Sequence, residues 1–227
     1  MKIIYNGEQD ARLYKKVLGG IIESLLKEDE NVIYFDADLS NCIGTARLIQ
    51  EYDRAINCGI AEANMIGIAC VTAAVGFKPI VHTFGPFASR RVYDQIFLSG
   101  GYAQNPITVI GTDPGITAAF NGGTHMPFED VALYRAIPGA VICDVTDITM
   151  LESFLRTAKD LPGVKYLRVG RKESYPVYAP GTELTIGKGN VLREGTDAVI
   201  IATGIMVHEA MEAAKKLAAE GVELAHE

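Results

Sequence analysis

The chain has 227 residues, 48% hydrophobic and 22% charged, with a formal net charge of −7, enough for a sizeable core in one large or two small domains. The acidic balance, with no basic run longer than two residues, excludes the electrostatic footprint of a nucleic-acid binder and disfavours an anionic membrane as partner. Cys42, Cys58, Cys70 and Cys143 form no Cys-x-x-Cys pair and read as reduced thiols, and with no signal-peptide run and no apolar stretch approaching 18 residues the expected location is cytoplasmic.

In chain order, Leu13, Val17, Ile21 and Leu25 repeat at helical spacing and predict a helix over 9–28, followed by a strand in NVIYFDADLS. AEANMIGIACVTAAVGF reads as a helix closed by Gly76, KPIVHTF as a strand, and RRVYDQIFLSGGYA as a helix ending at glycines. PITVIGT predicts a buried strand, PFEDVALYRAIPG a helix stopped by Pro138 and Gly139, AVICDVTD a strand, 147–160 a helix and VKYLRVGR a strand. Short apolar strands alternating with helices predict an α/β fold, a mostly parallel sheet with helices on both faces.

From Tyr175 the texture changes to a stretch with two prolines and four glycines, where GKGN near 187 suggests a hairpin. A strand in DAVIIATG and a helix in MVHEAMEAAKKLAAEG follow. These features place a boundary near 180 and give domains over 1–180 and 181–227. The second stops where another strand is due, reads as truncated, and is small enough to need a neighbour to dock on.

In sheets of this kind ligands sit beyond the strands' carboxyl ends. There the sequence gathers DADLSNC, HTFGPF, GTDPGITAAFNGGTH, DVTD and RVGRK. The glycine-rich segment has neither the phosphate-loop nor the dinucleotide spacing, and no Gly-Asp-Gly diphosphate-metal signature occurs. His82 and His125 at strand ends are candidates for proton transfer or hydrogen-bonded structural groups, whereas His208 and His226 have no supporting context. Arg171 could fork onto a phosphate or carboxylate, or lie on the surface. Glu62 stands alone among small apolar residues in CGIAEANMIGIA. A carboxylate there either caps the helix start or performs a task that needs a buried acid.

DADLS, GIAEANMIGIA, HTFGPFASRRVYDQI, GITAAFNGGTHMPFEDVALYRAIPG and LRVGRK occur in the order and spacing of one family: from about Asp10 onward the chain resembles the C-terminal portion of a transketolase. The resemblance implies a pyrimidine-binding domain and the beginning of the domain that follows it. It also implies thiamine diphosphate as cofactor, shared with a separate N-terminal subunit that carries the diphosphate-binding domain and the expected Mg2+ or Ca2+. The chain would then be the C-terminal subunit of a split enzyme, a hetero-oligomer that transfers a two-carbon ketol unit from a ketose to an aldose.

The family glutamate maps onto Glu62, where it shares a proton with a ring nitrogen of the cofactor's pyrimidine, a role served by a desolvated acid. Phe84 and Phe87 map onto the wall that packs on that ring, and Asp38 onto an aspartate near the cofactor. His125 corresponds to a residue contacting the bound sugar, and Arg171 and Arg12 to arginines that hold a substrate phosphate. Three substrate positions depart from the family: Cys42 stands for a phosphate-binding serine, Asp113 for a histidine and Asn121 for a substrate-orienting aspartate. An acid at 113 would repel a phosphate. Two other readings share the fold: the beta subunit of a 2-oxoacid dehydrogenase, which needs a lipoyl acceptor, and a non-catalytic interaction subunit.

Overall fold

Along Val32–Asp36, the first strand (β1), Val32 and Tyr34 enter one hydrophobic cluster while Ile33 and Phe35 enter another. A strand buried on both sides requires helices on both faces of its sheet. The computed structural model describes residues 2–171 and 174–226, which leaves Lys172 of the LRVGRK stretch outside the described residues.

In chain order, α1 (Tyr14–Glu28) precedes β1, and the short helices α2 (Ser40–Ile43) and α3 (Ala46–Glu51) lead to β2 (Ala55–Asn57). Then come α4 (Glu62–Ala74), β3 (Lys78–Phe84) and α5 (Gly85–Ala88). A 3-10 turn over Arg90–Val92 enters α6 (Tyr93–Gln95), which widens into a π-turn over Ile96–Tyr102 before β4 (Ile107–Thr112). Two 3-10 turns, Ala119–Asn121 and Gly123–His125, precede α7 (Asp130–Arg135), β5 (Val141–Asp144), α8 (Ile148–Ala158) and β6 (Val164–Val169). β7 (Ala198–Ile200), α9 (Met206–Ala218) and β8 (Leu224–His226) end the described chain.

The first six strands form one parallel sheet in the order β2-β1-β3-β4-β6-β5. One face packs under α1 and α8 through Leu18, Ile22, Leu151 and Leu155; the other packs under α4 through Met65, Ile66 and Ala69. The α/β expectation and the two-faced sheet therefore hold. The order reverses direction between β1 and β3, and the carboxyl ends of β1, β3 and β4 lie side by side there, in register Asp36↔His82 and Phe84↔Thr112.

The differences from the sequence reading have local causes. The first helix starts at Tyr14 instead of 9, because Leu13 is extended (φ −99°, ψ 140°) and Asp10 caps the preceding turn by accepting from the Arg12 amide at 2.9 Å. The expected hairpin at GKGN is absent: β7 pairs with β8 in parallel, and the flank of Gly187 turns onto α8, where the Leu184 amide donates to Ser153 at 3.1 Å. The glycines of FLSGGY serve packing, since a Cβ at Gly101 would stand 2.6 Å from Ile137 and one at Gly100 2.9 Å from Val164.

The linker after β6 is anchored by Asp147. Its carboxylate caps α8 at the Met150 amide (2.8 Å) and accepts from the amides of Val177 and Tyr178 (2.9 Å each). Val177, Tyr178 and Val207 then form a small cluster joining the linker to α9. Thr203 donates to Asp144 at the end of β5 across 2.9 Å, a second tie between the sheet and the C-terminal segment.

Candidate active site

β3 ends on Phe84, and the chain turns at Gly85 into α5, which carries Phe87. Glycine is required at this turn, because a Cβ at 85 would stand 2.7 Å from Cγ of Pro127. The second 3-10 turn brings His125 against both rings: its imidazole lies 5.6 Å from the Phe84 centroid and 5.2 Å from that of Phe87, edge-on in each case. The two phenylalanines are 6.0 Å apart. Three rings at these separations make a compact apolar wall. Arg90 holds the loop in place, donating to the carbonyls of Gly123 (3.2 Å) and Thr124 (3.1 Å) and to Glu129 (2.8 Å).

Glu62 is the first residue of α4 and is 5% exposed. The sequence reading expects an isolated desolvated acid; the structure gives it a cation. Arg91 donates to its Oε1 at 2.7 Å and lays the same guanidinium 3.8 Å above the Phe87 ring. Arg91 thereby links the carboxylate to the aromatic wall, a cation–π contact added to an ion pair. Its signal in the sequence was its place one turn beyond Phe87 in FASRR, but the partner is 29 residues away.

On the other side of Phe84 lies Arg171, its guanidinium 5.5 Å from the ring centroid and its Nε 3.3 Å from Oδ1 of Asp113. Asp113 follows β4, is 2% exposed and has φ 61°, the left-handed region that aspartate tolerates better than most residues. Glu62, Phe84, Phe87, His125, Arg171 and Asp113 thus form one continuous constellation at the sheet's carboxyl edge, with Arg91 as an added member.

Asp38 is exposed, also at positive φ (65°), and exchanges two hydrogen bonds with Asn57, its amide donating to Oδ1 and its Oδ1 accepting from Nδ2, both at 3.0 Å. It borders the loop leading from β2 to Glu62. Asn121 is exposed on the loop that carries His125. Arg12 pairs with Asp10 at 2.7 Å and lines a different depression with Asp147 and Thr149. Cys42 packs against the core on the α1 face of the sheet. Among the described residues, Arg12, Cys42 and Asn121 make no hydrogen bond or ring contact with the constellation.

His82 is fully buried and structural in position: Nδ1 lies 2.9 Å from Asp36 and Nε2 3.4 Å from Thr112. Asp36 also accepts from Tyr34 Oη at 2.6 Å and from the Leu39 amide at 2.5 Å. This layer lies beneath the site and fixes the ends of three strands. Among the described residues no group of His, Cys, Asp and Glu side chains is arranged to hold a metal ion, and no helix is long and apolar enough to cross a membrane.

Residues 11–176 match the transketolase pyrimidine-binding domain, and residues 187–225 match the transketolase C-terminal domain. The chain is 44% identical over 197 residues to the 6-deoxy-6-sulfo-D-fructose transketolase subunit SqwH of Clostridium sp. (strain MSTE9), covering 86% of this chain and 61% of that protein. It is 36% identical over 216 residues to a protein of Methanocaldococcus jannaschii named as a transketolase C-terminal section, covering 92% of this chain and 68% of the relative. The chain thus spans only about two thirds of the length of these relatives. Among solved structures, a split gene transketolase in an inactive beta4 tetramer superposes with a TM-score of 0.85 at 31% identity, over 96% of this chain and 71% of the other. The motifs at the sheet's carboxyl edge, the match through most of the sequence and the shared fold lead to one conclusion: the chain belongs to the transketolase family.

Proposed function

We propose that the chain is the C-terminal subunit of a split transketolase, transferring a two-carbon ketol unit from a ketose to an aldose in a hetero-oligomer with a separate subunit that carries the diphosphate-binding domain. Residues 1–180 would be the pyrimidine-binding half and 181–227 the opening of the C-terminal domain. The observation that carries the reading is the juxtaposition of a 5%-exposed carboxylate, Glu62, with the ring wall of Phe84, Phe87 and His125 through Arg91.

The residues present fit thiamine diphosphate. A flat, partly basic heteroaromatic ring requires an apolar wall and a carboxylate at its edge, and this edge of the sheet offers both. When bound, the cofactor would supply a nucleophilic carbon and an electron sink for cleaving and forming the ketol bond. Glu62 would hold or share a proton at the cofactor's ring nitrogen through a carboxylate oxygen. Phe84 and Phe87 would orient the ring and exclude water. His125, between the two rings, would face the reacting sugar and hold or donate a proton at one of its oxygens.

A partner is supported by the outer surface of α4. Ile68 and Val71 are 40% and 65% exposed, and Val75 just after the helix and Ile60 just before it are 70% and 79% exposed. A helix that is apolar all round is ordinarily covered on all sides. The diphosphate-binding subunit, with its Mg2+ or Ca2+, would cover this face and complete the site.

Native mass spectrometry of the chain together with a companion diphosphate-binding subunit, thiamine diphosphate and magnesium tests the proposal. A hetero-oligomer with cofactor mass, active in ketol transfer, is expected. Self-association without cofactor, even with the companion present, would favour the non-catalytic interaction subunit.

A further inference from the structure

The turn that carries His125 is tied to the body of the protein at few points. Among the described residues, the backbone hydrogen bonds of 114–125 all stay inside the segment: Thr117 donates to Pro114 at 3.2 Å, Ala119 to Ile116 at 3.0 Å, Asn121 to Ala118 at 2.9 Å, Gly122 to Ala119 at 3.0 Å and His125 to Gly122 at 3.0 Å. Gly122 has φ 79° and ψ −177°, a conformation essentially confined to glycine, and a Cβ on Gly122 or Gly123 would meet nothing within 4 Å. Neither ladder bonds nor close packing at these glycines therefore fixes the direction in which the turn presents its histidine.

Two side chains supply what the backbone does not. After the histidine, buried Pro127 packs against the Gly85 turn, where a glycine Cβ would stand 2.7 Å from its Cγ. Before it, Arg90 takes hold: Nη2 donates to the carbonyls of Gly123 (3.2 Å) and Thr124 (3.1 Å), and Nη1 donates to Oε1 of Glu129 (2.8 Å). Glu129 is itself oriented, because its other oxygen accepts from the Phe128 amide at 3.0 Å. One planar fork thus spans the turn, from the two carbonyls before His125 to a carboxylate four residues after it. Thr124 Oγ1 lies 2.9 Å from His125 Nδ1, so Nε2 is the nitrogen left to serve a ligand.

Arg90 and Glu129 are 40% and 37% exposed in their side chains, and an ion pair so open to water contributes little to global stability. Its effect is local. We infer that Arg90 is a positioning residue: acting through the backbone of the turn, it sets the His125 imidazole edge-on to Phe84 and Phe87 and so fixes the reach of Nε2 to the sugar. The inference rests on the ketol-transfer reading and adds to it a residue that serves the sugar and not the cofactor, whose ring has Glu62 and the two phenylalanines.

The test is a double-mutant cycle in the complex with the companion subunit, thiamine diphosphate and magnesium. D-Fructose, D-fructose 6-phosphate and 6-deoxy-6-sulfo-D-fructose are tried as donors to D-glyceraldehyde 3-phosphate, and the best donor is carried through wild type, Arg90→Met, His125→Ala and the double variant. Arg90→Met is expected to lower kcat and kcat/KM together by about 10²-fold, the cost of misplacing a reacting group by about 1 Å, with half-saturation by thiamine diphosphate unmoved. In the His125→Ala background the same substitution should cost nothing further, because the group it positions is gone. Arg90→Lys keeps the charge but not the fork and should recover part of the activity. Equal losses in the two backgrounds, weakened cofactor binding in Arg90→Met, or full activity in that variant would overturn the inference.

Absence of transfer from every donor in wild type would count against the ketol-transfer reading, and the positioning is then read in the chain itself. Nuclear Overhauser effects between the ring protons of His125 and those of Phe84 and Phe87 are expected in wild type and should be lost in Arg90→Met. Their persistence in the variant would sink the inference independently.

Discussion

Arg91 donates through Nη1 to Oε1 of Glu62 across 2.7 Å. The pair joins a buried carboxylate to a guanidinium whose side chain is 45% exposed and which also covers Phe87. One oxygen of Glu62 is therefore oriented by the protein. Glu62→Gln keeps the shape and can still accept from Arg91, but has no proton to share. Assembly should be unchanged by native mass spectrometry, while ketol transfer falls about 10²–10⁴-fold, the usual worth of general acid–base catalysis. Full activity in this variant would remove Glu62 from the mechanism.

Replacing Arg91 acts on stability as well as on the site. Arg91→Met leaves Glu62 buried without its cationic partner. A fully enclosed pair broken this way costs about 3–5 kcal/mol, but the exposure of Arg91 lets water reach the carboxylate, and a loss of about 1 kcal/mol is expected. At this chain length that corresponds to a fall in Tm of about 2–4 °C. Arg91→Lys should recover part of it, and thermal unfolding of both variants measures the difference.

A second pair of predictions concerns the layer beneath the site. Asp36 is fully buried and accepts from Tyr34 Oη, the Leu39 amide and the His82 ring. A carboxylate neighbour assigns the proton of His82 to Nδ1. Asp36→Ala strands these donors and should destabilise by about 3–5 kcal/mol, since each buried unsatisfied polar group costs about 1–3. His82→Gln, which retains a donor, should cost less; denaturant unfolding separates the two.

Much of this architecture was legible in the sequence because it follows from periodicity. The KPIVHTF strand coincides with Lys78–Phe84, and the helix read over 147–160 is found at Ile148–Ala158 with Asp147 as its cap. The 40–57 region was not, because α2, α3 and β2 are only 4, 6 and 3 residues long and their pattern is too short to show a period. Within the site, the motifs gave Glu62, the two phenylalanines and His125, and the structure brings them together. Spacing could not show that Arg91 pairs with Glu62, or that Asp113 meets Arg171, since both are contacts between loops at the ends of different strands. Arg12 illustrates the converse: an arginine with a promising position finds its partner two residues away, in Asp10.

Close packing behind the site predicts intolerance at Gly111. A Cβ there would stand 2.6 Å from Tyr166 Oη and 3.1 Å from the Gly85 Cα. Tyr166 cannot give way easily: it stacks on Tyr134 at 3.9 Å between ring centroids and donates to Asp130 at 2.8 Å. Gly111→Ala should therefore destabilise by about 1–3 kcal/mol through overpacking and displace the turn at Gly85 that sets Phe84 against Phe87. Calorimetry should show the lower Tm; an unchanged Tm would mean that the tyrosine pair is freer to move than its contacts imply.

Lys165 predicts a pH dependence. It is 1% exposed in β6, its ammonium donates to the Leu161 carbonyl at 2.8 Å, and burial pulls its pKa down to about 8 from an ordinary value near 10.5. Between these values the unfolded chain holds the proton and the folded chain releases it, so this residue makes stability rise with pH from about 8 to about 10.5. Below that window the buried cation costs on the order of 3 kcal/mol, at about 1.4 kcal/mol per pKa unit. Buried Cys70 and Cys143, with thiol pKa values pushed up to about 11 and about 12, act in the opposite sense above pH 9. The contribution of Lys165 is therefore read as a difference. Wild type minus Lys165→Met, measured by urea unfolding from pH 7 to 9.5, should become steadily more favourable to wild type as pH rises. A flat difference would show that Lys165 keeps its ordinary affinity for the proton in the fold.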